Sequence, residues 1–360
     1  MALDQSPALP LPKPGLPRFG AAPRQLTLVD RTQDTSDIVT FTFRNEGGAL
    51  HYLPGQAIAL DLPMPTGTAT RTFTLSSAPL GTAELSVTVK AAPDANATRW
   101  MHDHLEVGQQ ITGRGPFGQF SLAHRFGRPL LLVGGGSGFT PMMSMLRWLF
   151  ARGEAVDVTV VQVARRVEDL LYTQELAHIA ANMPSLKLFE VVADPAPGES
   201  WHGYRGRPDR AMLRSMVPDA SRREAYCCGP QGFMDQIRRC LVAEGLSPAH
   251  FHTESFGLTA PKAQPVGKAV EQGTGHKVTM RGRTFEVAAD QPLSAALAGE
   301  NIRVPTGCGA GQCGTCKLRL VDGAVDMRQD GGLSDHEVAQ GLILACCSTA
   351  KGPITLEDAS

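Results

Sequence analysis

Hydrophobic and polar residues alternate over short stretches in the first third of the chain. Residues 25–29, 38–43 and 85–90 show this two-residue period, and turn residues separate them at short intervals. Alternation of this kind is typical of strands that bury one face and expose the other. The pattern therefore predicts a small antiparallel β-barrel over residues 24–126.

The pattern changes after Arg128, because residues 130–133 form a short, continuously apolar run. Such a run is typical of a parallel strand that is buried on both faces. It leads into a glycine loop, after which Thr140 is predicted to cap a helix whose first residue is Pro141. A phosphate-bearing ligand would meet free amides and the positive end of the helix dipole there. The residues predicted to bind it are Gly134, Gly135, Gly136, Gly138 and Thr140.

Strands and helices continue to alternate beyond this loop. Residues 156–163 have the composition of a second buried strand, and another helix is predicted to start with Asp169. The alternation predicts an α/β domain with an open parallel sheet over residues 127–257, which binds its ligands at the carboxyl ends of the strands. Arg165 and Arg166 follow the second strand, where a nucleotide ribose or its 2′-phosphate could be met. Surface arginines are usually only solvated, and Arg165 is kept as the candidate ligand.

Four cysteines carry the most specific chemistry in the chain. Cys308, Cys313 and Cys316 share one glycine-rich loop, and Cys346 follows thirty residues later. This spacing is that of a plant-type 2Fe-2S cluster, and the glycines permit the unusual backbone angles of a loop that wraps three ligands around it. The alternatives are structural disulfides or a zinc site, although zinc sites usually pair two Cys-x-x-Cys hairpins. Cys347 competes with Cys346 for the fourth position.

The residues around these cysteines have the pattern of a small α+β domain. Residues 276–289 alternate as a hairpin, residues 293–297 suggest a short helix, and residues 317–321 alternate again as a strand. Residues 276–360 resemble a plant-type ferredoxin along their whole length. The resemblance implies a β-grasp fold and favours Cys346 as the fourth cluster ligand.

A flavin motif lies within the predicted barrel. The segment Arg71-Thr72-Phe73-Thr74-Leu75-Ser76 resembles the motif Arg-x-(Tyr/Phe)-(Ser/Thr)-x-Ser of the ferredoxin–NADP reductase family. The resemblance implies that Arg71 grips the flavin phosphate, that Phe73 stacks near the isoalloxazine and that Thr74 bonds the ring nitrogen that accepts hydride. Thr72 belongs to the same cofactor-binding set, and Thr74 is also a candidate catalytic residue. Taken alone the motif is weak, because plain barrel strands alternate in the same way.

Three further motifs follow in the order expected of this family. They are Val89-Lys90, then Asn96-Ala97-Thr98 at the start of a short helix, then Gly115-Pro116-Phe117-Gly118-Gln119-Phe120. The helix start implies amides and a hydroxyl for a pyrophosphate, although Asn96 or Ala95 replaces the glycine that usually precedes that hydroxyl. Relatives that bind FMN usually lack the third motif, so FAD is the expected flavin.

The α/β domain carries two more signatures of the family. Cys228-Gly229-Pro230 resembles a motif whose cysteine lies beside the nicotinamide, so all three residues are candidate cofactor ligands and Cys228 is a candidate catalytic residue. The alternative for this cysteine is a buried small hydrophobic residue. Glu254-Ser255-Phe256 resembles the Glu-x-Phe sequence that closes the domain near the flavin. Phe256 is placed in the cofactor site, whereas Glu254 either tunes or protonates the ring or is an ordinary strand carboxylate.

The three modules together resemble a group of reductases with a C-terminal ferredoxin domain. Members of this group serve Rieske-type oxygenases such as betaine and carnitine demethylases, and others serve phenylacetyl-CoA epoxidation or hybrid-cluster protein. The resemblance covers residues 24–360 and implies a multidomain NAD(P)H:acceptor oxidoreductase. Hydride from NADH or NADPH would reduce FAD, which releases electrons singly to the 2Fe-2S cluster. A separate terminal oxygenase or another redox acceptor protein would then receive them.

The sequence leaves the acceptor and the nucleotide open. A diiron oxygenase and hybrid-cluster protein are alternative acceptors, because surface complementarity selects the partner. A non-catalytic redox sensor is the alternative of another class, but neither a helix-turn-helix pattern nor a basic face supports it. An electron relay with a vestigial nucleotide domain conflicts with the intact glycine loop. NADH is slightly favoured, since Glu168 and Asp169 oppose the 2′-phosphate that Arg165 and Arg166 would favour.

Composition changes this picture mainly by exclusion. The 360 residues contain 34 Lys and Arg against 35 Asp and Glu, so there is no global basic field for nucleic acid. No apolar run approaches the length that crosses a membrane. Eight cysteines favour a cytoplasmic protein, because spare thiols would be oxidised outside the cell.

Two segments are predicted to lie outside the domains. Residues 1–23 are rich in Pro and Ala but lack a basic start followed by an apolar core, so they are predicted to form a disordered tail. Residues 258–275 are rich in Gly, Pro, Lys and Gln and are predicted to form an exposed linker. The protein is expected to be a monomer.

Overall fold

The structure is a computed structural model that describes most of the chain. The described residues are 23–65, 67–91, 96–122, 127–196, 198–254, 256, 264–267, 275–302, 304, 309, 311, 314–329, 332–333 and 335–359. The predicted tail, residues 1–23, lies outside the described residues except for Pro23. The chain divides into two compact units, of which the first comprises Met1–Gln56, Phe73–Pro116 and Phe120–Phe256, and the second Ala57–Thr72, Phe117–Gln119 and Gly257–Ser360. The predicted domain boundaries at residues 126 and 257 stay predictions.

The first part of the chain folds into antiparallel strands and one helix. Their bounds are β1 Arg24–Thr35, β2 Ile38–Asn45, β3 Ala57–Met64, β4 Gly67–Thr74, β5 Glu84–Lys90, α1 Asn96–His104 and β6 Gln110–Phe117. Strands β6, β1, β2 and β5 are successive neighbours in a sheet, and β4 and β3 are neighbours of each other. Leu26 and Leu28 of β1 and Phe41 and Phe43 of β2 are fully buried. Alternate burial confirms the two-residue period of these strands.

The next part forms a parallel sheet with helices. Its elements are β7 Leu130–Gly135, α2 Thr140–Ala151, β8 Val158–Ala164, α3 Thr173–Asn182, β9 Leu186–Val192, β10 Tyr204–Arg205, α4 Arg210–Met216, β11 Glu224–Cys228, α5 Gln231–Ala243 and β12 Phe251–Glu254. The strand order is β10-β9-β8-β7-β11-β12. From β7 the chain first adds strands β8, β9 and β10 on one side, and then crosses to add β11 and β12 on the other. A reversal of this kind opens a crevice at the carboxyl ends of the strands, where α/β sheets bind ligands.

Strand β7 lies at the centre of this sheet and is buried on both faces. Leu130 and Leu132 pack into a core cluster with side chains of α2 and α3, whereas Leu131 and Val133 pack into a second cluster with side chains of α4 and α5. Burial of each such side chain contributes on the order of 2 kcal/mol. The continuously apolar run is therefore explained by two hydrophobic layers that cover one strand.

Two predicted helix starts are wrong. Phe139 rather than Thr140 precedes the first residue of α2, and the Thr140 hydroxyl donates to the Ser137 carbonyl at 3.0 Å. The helix predicted from Asp169 begins only at Thr173. Its start is delayed because the Asp169 carboxylate accepts the backbone N–H of the residue three positions earlier, which closes a separate short turn.

The C-terminal part forms two further sheets. Its elements are β13 Gln264–Gly267, β14 Gly275–Met280, β15 Arg283–Ala288, α6 Leu293–Gly299, β16 Lys317–Asp322, β17 Ala324–Met327, α7 Asp335–Ala339, β18 Leu342–Leu344, β19 Ser348–Ala350 and β20 Ile354–Asp358. The strand orders are β15-β14-β20-β16-β18 and β13-β17-β19. Leu293 and Leu297 of α6 share a core with Leu318 and Leu356 of the larger sheet. A mixed sheet with a helix packed on it agrees with the predicted β-grasp fold.

Local detail differs from prediction in the second unit. The predicted hairpin is confirmed, and its two turn residues, Arg281 and Gly282, have φ angles of 50° and 74°, as a two-residue turn between twisted strands requires. Strand β13 lies inside the predicted linker and pairs antiparallel with β17. Part of that segment is therefore built into a sheet. Among the described residues, no helix has the length and apolar character that crossing a bilayer requires.

Arg223 forms a buried ionic cluster at the amino-terminal edge of the parallel sheet. Its side chain is 1% exposed, and its guanidinium donates to the Leu130 carbonyl, to Asp219 and to Asp157. These bonds lower the pKa of Asp219, chiefly through the hydrogen bond from Arg223. The cluster therefore stabilises the fold above the ordinary Asp pKa, and this stability is lost as the pH falls through the lowered value.

We expect Arg223→Leu to lower the melting temperature by about 5 °C at pH 7, because it leaves two carboxylates and a buried carbonyl without their donor. Differential scanning calorimetry measures the shift. Arg222→Leu, at the exposed neighbouring residue, is the control and should change the melting temperature by less than about 2 °C. Equal shifts in the two variants would show that the cluster does not stabilise the sheet.

Candidate functional site

The glycine loop after β7 lies directly against the end of β11. A Cβ atom at Gly138 would lie 2.4 Å from the Cys228 carbonyl oxygen, and one at Gly134 would lie 2.6 Å from the Cα of Phe139. Gly136 has a φ of +57°, and a Cβ there would meet no atom within 4 Å. The loop is therefore closed on the side of β11 and open at Gly136. Its open side, at the start of α2, suits a phosphate group that accepts backbone N–H bonds.

Strand register brings the candidate catalytic residues together. Cys228 pairs with Gly134 of β7 on one side and with Glu254 of β12 on the other. Thr74, which is 5% exposed, donates its hydroxyl to Glu254 Oε2 at 3.2 Å. Thr74, Cys228, Glu254 and the glycine loop are thus assembled at the carboxyl ends of β7, β11 and β12. The Glu254 carboxylate holds the Thr74 hydroxyl in one orientation, and a hydroxyl fixed in this way is suited to contact the polar edge of a cofactor ring.

Cys228 itself is fully buried, and its side chain belongs to the same core cluster as Phe139 and Tyr226. Cys228 therefore packs as a small buried residue, which was the alternative interpretation of this cysteine, and its catalytic role stays a prediction. Gly229 beside it has a φ of +156°, and Pro230 precedes the first residue of α5. These three residues form the bend between β11 and α5.

Strand β4 carries the flavin motif. The Arg71 side chain is exposed, and its guanidinium donates to the neighbouring Thr70 carbonyl at 2.9 Å. Phe73 is half-buried. In the described part of the chain, the Thr72 hydroxyl oxygen is buried and has no hydrogen-bond partner. An exposed guanidinium and an unsatisfied buried hydroxyl fit a bound polar cofactor, because such groups are normally satisfied.

The remaining predicted flavin ligands lie at the end of β5 and in the first turn of α1. The Val89 side chain is in the core and its carbonyl is 2.9 Å from the His102 ring nitrogen, while Lys90 Nζ lies 3.0 Å from Asp37. The Lys90 ammonium therefore has an acidic partner in the turn between β1 and β2. Asn96, Ala97 and Thr98 form the first turn of α1, as predicted.

Two predicted cofactor residues lie on the surface. Arg165 follows β8 directly, and its guanidinium is 3.7 Å from Asp194, with both side chains mostly exposed. Phe256 is 49% exposed, which is unusual for a large aromatic residue. An exposed guanidinium at a strand's carboxyl end and an exposed ring are both accessible to a ligand.

The cluster ligands are described in part. Cys308 and Cys313 lie outside the described residues. The Cys346 amide donates to Cys316 Sγ at 3.4 Å, and hydrogen bonds from the Cys316 and Cys347 thiols lower the pKa of Cys346 to about 3. A cysteine that favours the thiolate form is suited to bind iron.

Cys347 has a different environment. Its sulfur is 3.7 Å from the Leu344 carbonyl oxygen and would lie 2.8 Å from a Cβ at Gly311. The loop backbone therefore covers Cys347, whereas the backbone amide of Gly311 donates toward Cys346. These contacts favour Cys346 as the ligand.

Sequence reasoning missed several polar residues near the site. Ser144 and Arg147 of α2 donate to the carbonyls of Ser77 and Ser76, and Tyr172 donates to Thr88. Main-chain acceptors leave no side-chain pattern, so no sequence motif indicated the first two contacts. The left-handed Tyr172, with a φ of 56°, also has no sequence signal, because such residues are commonly Gly or Asn.

His102, His250 and His252 all contact other protein groups. His250 and His252 both contact the buried Glu224, at 2.8 Å and 2.5 Å. Burial lowers the pKa of His102, whose ring also packs against Phe41. No group of three or more metal-binding side chains occurs among the residues that the structure describes.

Three family models match successive parts of the chain. They are the oxidoreductase FAD-binding domain over residues 25–122, the oxidoreductase NAD-binding domain over residues 132–239, and the 2Fe-2S iron-sulfur cluster binding domain over residues 277–351. The fold and these matches define a flavin-dependent pyridine-nucleotide oxidoreductase with an iron–sulfur domain.

Similar proteins extend along nearly the whole chain. The stachydrine N-demethylase reductase subunit Stc4 of Rhizobium meliloti is 37% identical over 94% of this chain and 98% of its own length. The glycine betaine monooxygenase reductase subunit of Chromohalobacter salexigens is 35% identical over 90% of this chain and 92% of its own. The solved structure of phthalate dioxygenase reductase covers 92% of this chain and 97% of its own, at 25% identity and a TM-score of 0.59.

The chain belongs to the family of FAD-, NAD- and 2Fe-2S-containing reductases within the ferredoxin–NADP reductase superfamily. It is an NAD(P)H:acceptor oxidoreductase whose cofactors are FAD and a 2Fe-2S cluster, with NAD(P)H as the electron donor. The three-domain architecture expected from the sequence is thereby confirmed.

We expect Gly138→Ala to raise the KM for NAD(P)H about tenfold or more, because the added methyl would push the glycine loop from the Cys228 carbonyl. Steady-state reduction of ferricyanide measures this constant, and flavin content should stay unchanged. Gly232→Ala in α5 is the matched control, since a Cβ there meets no atom within 4 Å. An unchanged KM in Gly138→Ala would contradict a nucleotide-binding role for the loop.

We expect Cys346→Ser to abolish cluster assembly and Cys347→Ser to retain it, because the Cys346 backbone amide donates to Cys316 Sγ and the Cys316 thiol is hydrogen-bonded to Cys346. Iron content and the electron paramagnetic resonance signal of the reduced protein measure the cluster. The assignment of the fourth ligand is reversed if Cys347→Ser loses the cluster and Cys346→Ser keeps it.

Proposed function

We propose that this reductase delivers electrons from NADH to a separate Rieske-type oxygenase that removes N-methyl groups from betaine-like substrates. The near full-length match to reductase subunits of a stachydrine N-demethylase and a glycine betaine monooxygenase carries the proposal. Nothing observed on the described residues favours the alternative acceptors, which are a diiron oxygenase and hybrid-cluster protein.

The flavin roles are assigned to the residues of β4. Arg71 holds the flavin phosphate, and Phe73 and Thr74 contact the ring, with Glu254 orienting the Thr74 hydroxyl. The unsatisfied hydroxyl of Thr72 supports a polar group beside this strand. When bound, FAD accepts two electrons from the nicotinamide and releases them one at a time. The start of α1, at Asn96, Ala97 and Thr98, offers amides to the pyrophosphate.

The nucleotide roles are assigned to the ends of β7, β8 and β11. The glycine loop holds the pyrophosphate, and Cys228, Gly229 and Pro230 line the nicotinamide end. Arg165 lies near the ribose, where Asp194 at 3.7 Å offsets its positive charge. A guanidinium that already faces a carboxylate attracts a 2′-phosphate less strongly, and this supports NADH as the preferred donor.

The cluster roles are assigned to Cys308, Cys313, Cys316 and Cys346. The contact between Cys346 and Cys316 supports the two described ligands. We place the reaction in the cytoplasm, since a protein with several buried thiols and a cluster is best kept in a reducing compartment. The catalytic form is proposed to be a monomer.

The proposal predicts an ordered electron path that anaerobic stopped-flow absorbance can follow. After mixing with NADH, the flavin bands should bleach first and the cluster bands second, and NADPH should react at least about tenfold more slowly, since its 2′-phosphate meets the Asp194 carboxylate. If both centres stay oxidised with either nucleotide, the reductase mechanism fails.

The acceptor is tested by reconstitution. The protein is mixed with a purified Rieske-type oxygenase component, glycine betaine or stachydrine, oxygen and NADH, and formaldehyde release is measured. Formaldehyde formation that requires all components supports the proposal. Cys346→Ser is the control, because it should still reduce ferricyanide through the flavin but should not drive the oxygenase. Rapid cluster reduction without formaldehyde would point to another class of acceptor.

A further inference from the structure

A polar network joins helix α2 to the segment that follows Thr74. Arg147 Nη1 donates to the Ser76 carbonyl at 2.7 Å, and Ser144 Oγ donates to the Ser77 carbonyl at the same distance. Residues three apart lie on one face of a helix, so a single face of α2 holds two successive carbonyls. The segment after Thr74 is thereby fastened to the helix.

Arg147 is itself held from two other directions. Its guanidinium makes two parallel bonds to the Glu175 carboxylate of α3, at 2.7 Å and 2.6 Å. It also lies over the Tyr172 ring, with 4.9 Å between the guanidinium carbon and the ring centroid. Two-pronged bonding and ring contact together restrict the guanidinium to one orientation. The bond to Ser76 is therefore pre-organised.

Tyr172 holds Ser76 by a second route. Its hydroxyl donates to Thr88 Oγ1 at 2.6 Å, and Thr88 in turn donates to Ser76 Oγ at 3.0 Å. Burial raises the pKa of Tyr172 to about 12, so the hydroxyl remains a donor at neutral pH. The residue adopts a left-handed backbone, with a φ of 56°, which an aromatic residue keeps only where its surroundings require it.

The two ends of this connection are parts of the site. The first residue of α2, Thr140, follows the glycine loop, and Arg147 lies seven residues further along the helix, about 10 Å away. At the other end, Ser76 lies two residues after Thr74, whose hydroxyl bonds Glu254. A rigid helix thus connects the nucleotide loop with the flavin motif.

We propose that Arg147 is a positioning residue for hydride transfer, which acts by clamping Ser76 to α2 and so fixing Thr74 relative to the glycine loop. The inference rests on the proposed flavin and nucleotide roles of those two regions. In the step concerned, a hydrogen with both bonding electrons leaves the nicotinamide C4, which is oxidised, and bonds to the flavin N5, which is reduced. Such a transfer is sensitive to displacements of about 1 Å.

Arg147→Met tests the proposal against a matched control at Arg152, the residue that follows α2. Arg152 lies 4.9 Å from the Trp148 ring centroid and 2.9 Å from Glu154, so Arg152→Met removes the same kinds of contact. At saturating NADH, Arg147→Met should slow flavin reduction by about 10- to 100-fold and change the Kd for NADH less than about threefold. Arg152→Met should stay within about twofold of the wild-type rate, and Arg147→Lys should recover part of the loss.

A second readout does not depend on the loaded enzyme. Hydrogen exchange of the flavin-free protein should show faster exchange in the peptide covering residues 74–77 for Arg147→Met, but not for Arg152→Met. Tyr172→Phe removes one hydroxyl and keeps the ring beneath Arg147, so it serves if Arg147→Met does not fold. It should show the same pattern with a smaller effect.

Wild-type flavin reduction in Arg147→Met, or equal slowing in both arginine variants, would overturn the proposal. The first result would show that the clamp does not affect transfer, and the second that only general stability matters. If the wild-type protein itself is not reduced by NADH or NADPH, the proposed function fails instead, so the two failures are distinguishable.

Discussion

The close approach of two backbone segments, the glycine loop and the end of β11, is the constraint on which the nucleotide domain depends. At Gly138 a side chain would collide with the Cys228 carbonyl, and at Gly134 with the Phe139 backbone. Backbone atoms cannot move aside as a flexible side-chain tip can, so glycine is required at both positions. The loop then starts α2 at the carboxyl ends of β7 and β11, where open α/β sheets bind their ligands.

The hydrophobic layers around the sheet give this loop a fixed base. Every residue of β7, β8 and β11 is buried, and close-packed side chains on both faces prevent the strands from sliding. The same rigidity maintains the left-handed conformation of Tyr172, since its ring and hydroxyl are both engaged. Strain at one residue is thus supported by burial of many others.

The sequence was sufficient for the elements whose period or spacing reflects one dominant force. The alternation in β1 and β2, the apolar run of β7 and the glycine loop all reflect burial or close backbone approach, and each was predicted. Helix starts were less predictable, because Asp169 closes a local turn that competes with the helix. The Arg147 and Ser144 contacts could not be predicted, because their acceptors are main-chain carbonyls that any residue supplies. The glycines of the cluster loop were predicted to permit unusual backbone angles. Gly311 has a φ of 72°, and a Cβ there would collide with Cys347.

Cys227 and Cys228 are neighbours in β11, but their side chains lie on opposite faces of the sheet and have different surroundings. Cys227 and Cys228 are both fully buried, but successive side chains of a strand point to opposite faces. Cys227 belongs to the core cluster of α4 and α5, where burial raises the pKa of its thiol and keeps it unreactive. Cys228 faces the side of α2, and its main chain contacts the glycine loop. The loop therefore closes over β11 through the main chain of Cys228, while the thiol packs in the core on the side of α2, so the backbone contact is independent of any role of the thiol beside the nicotinamide.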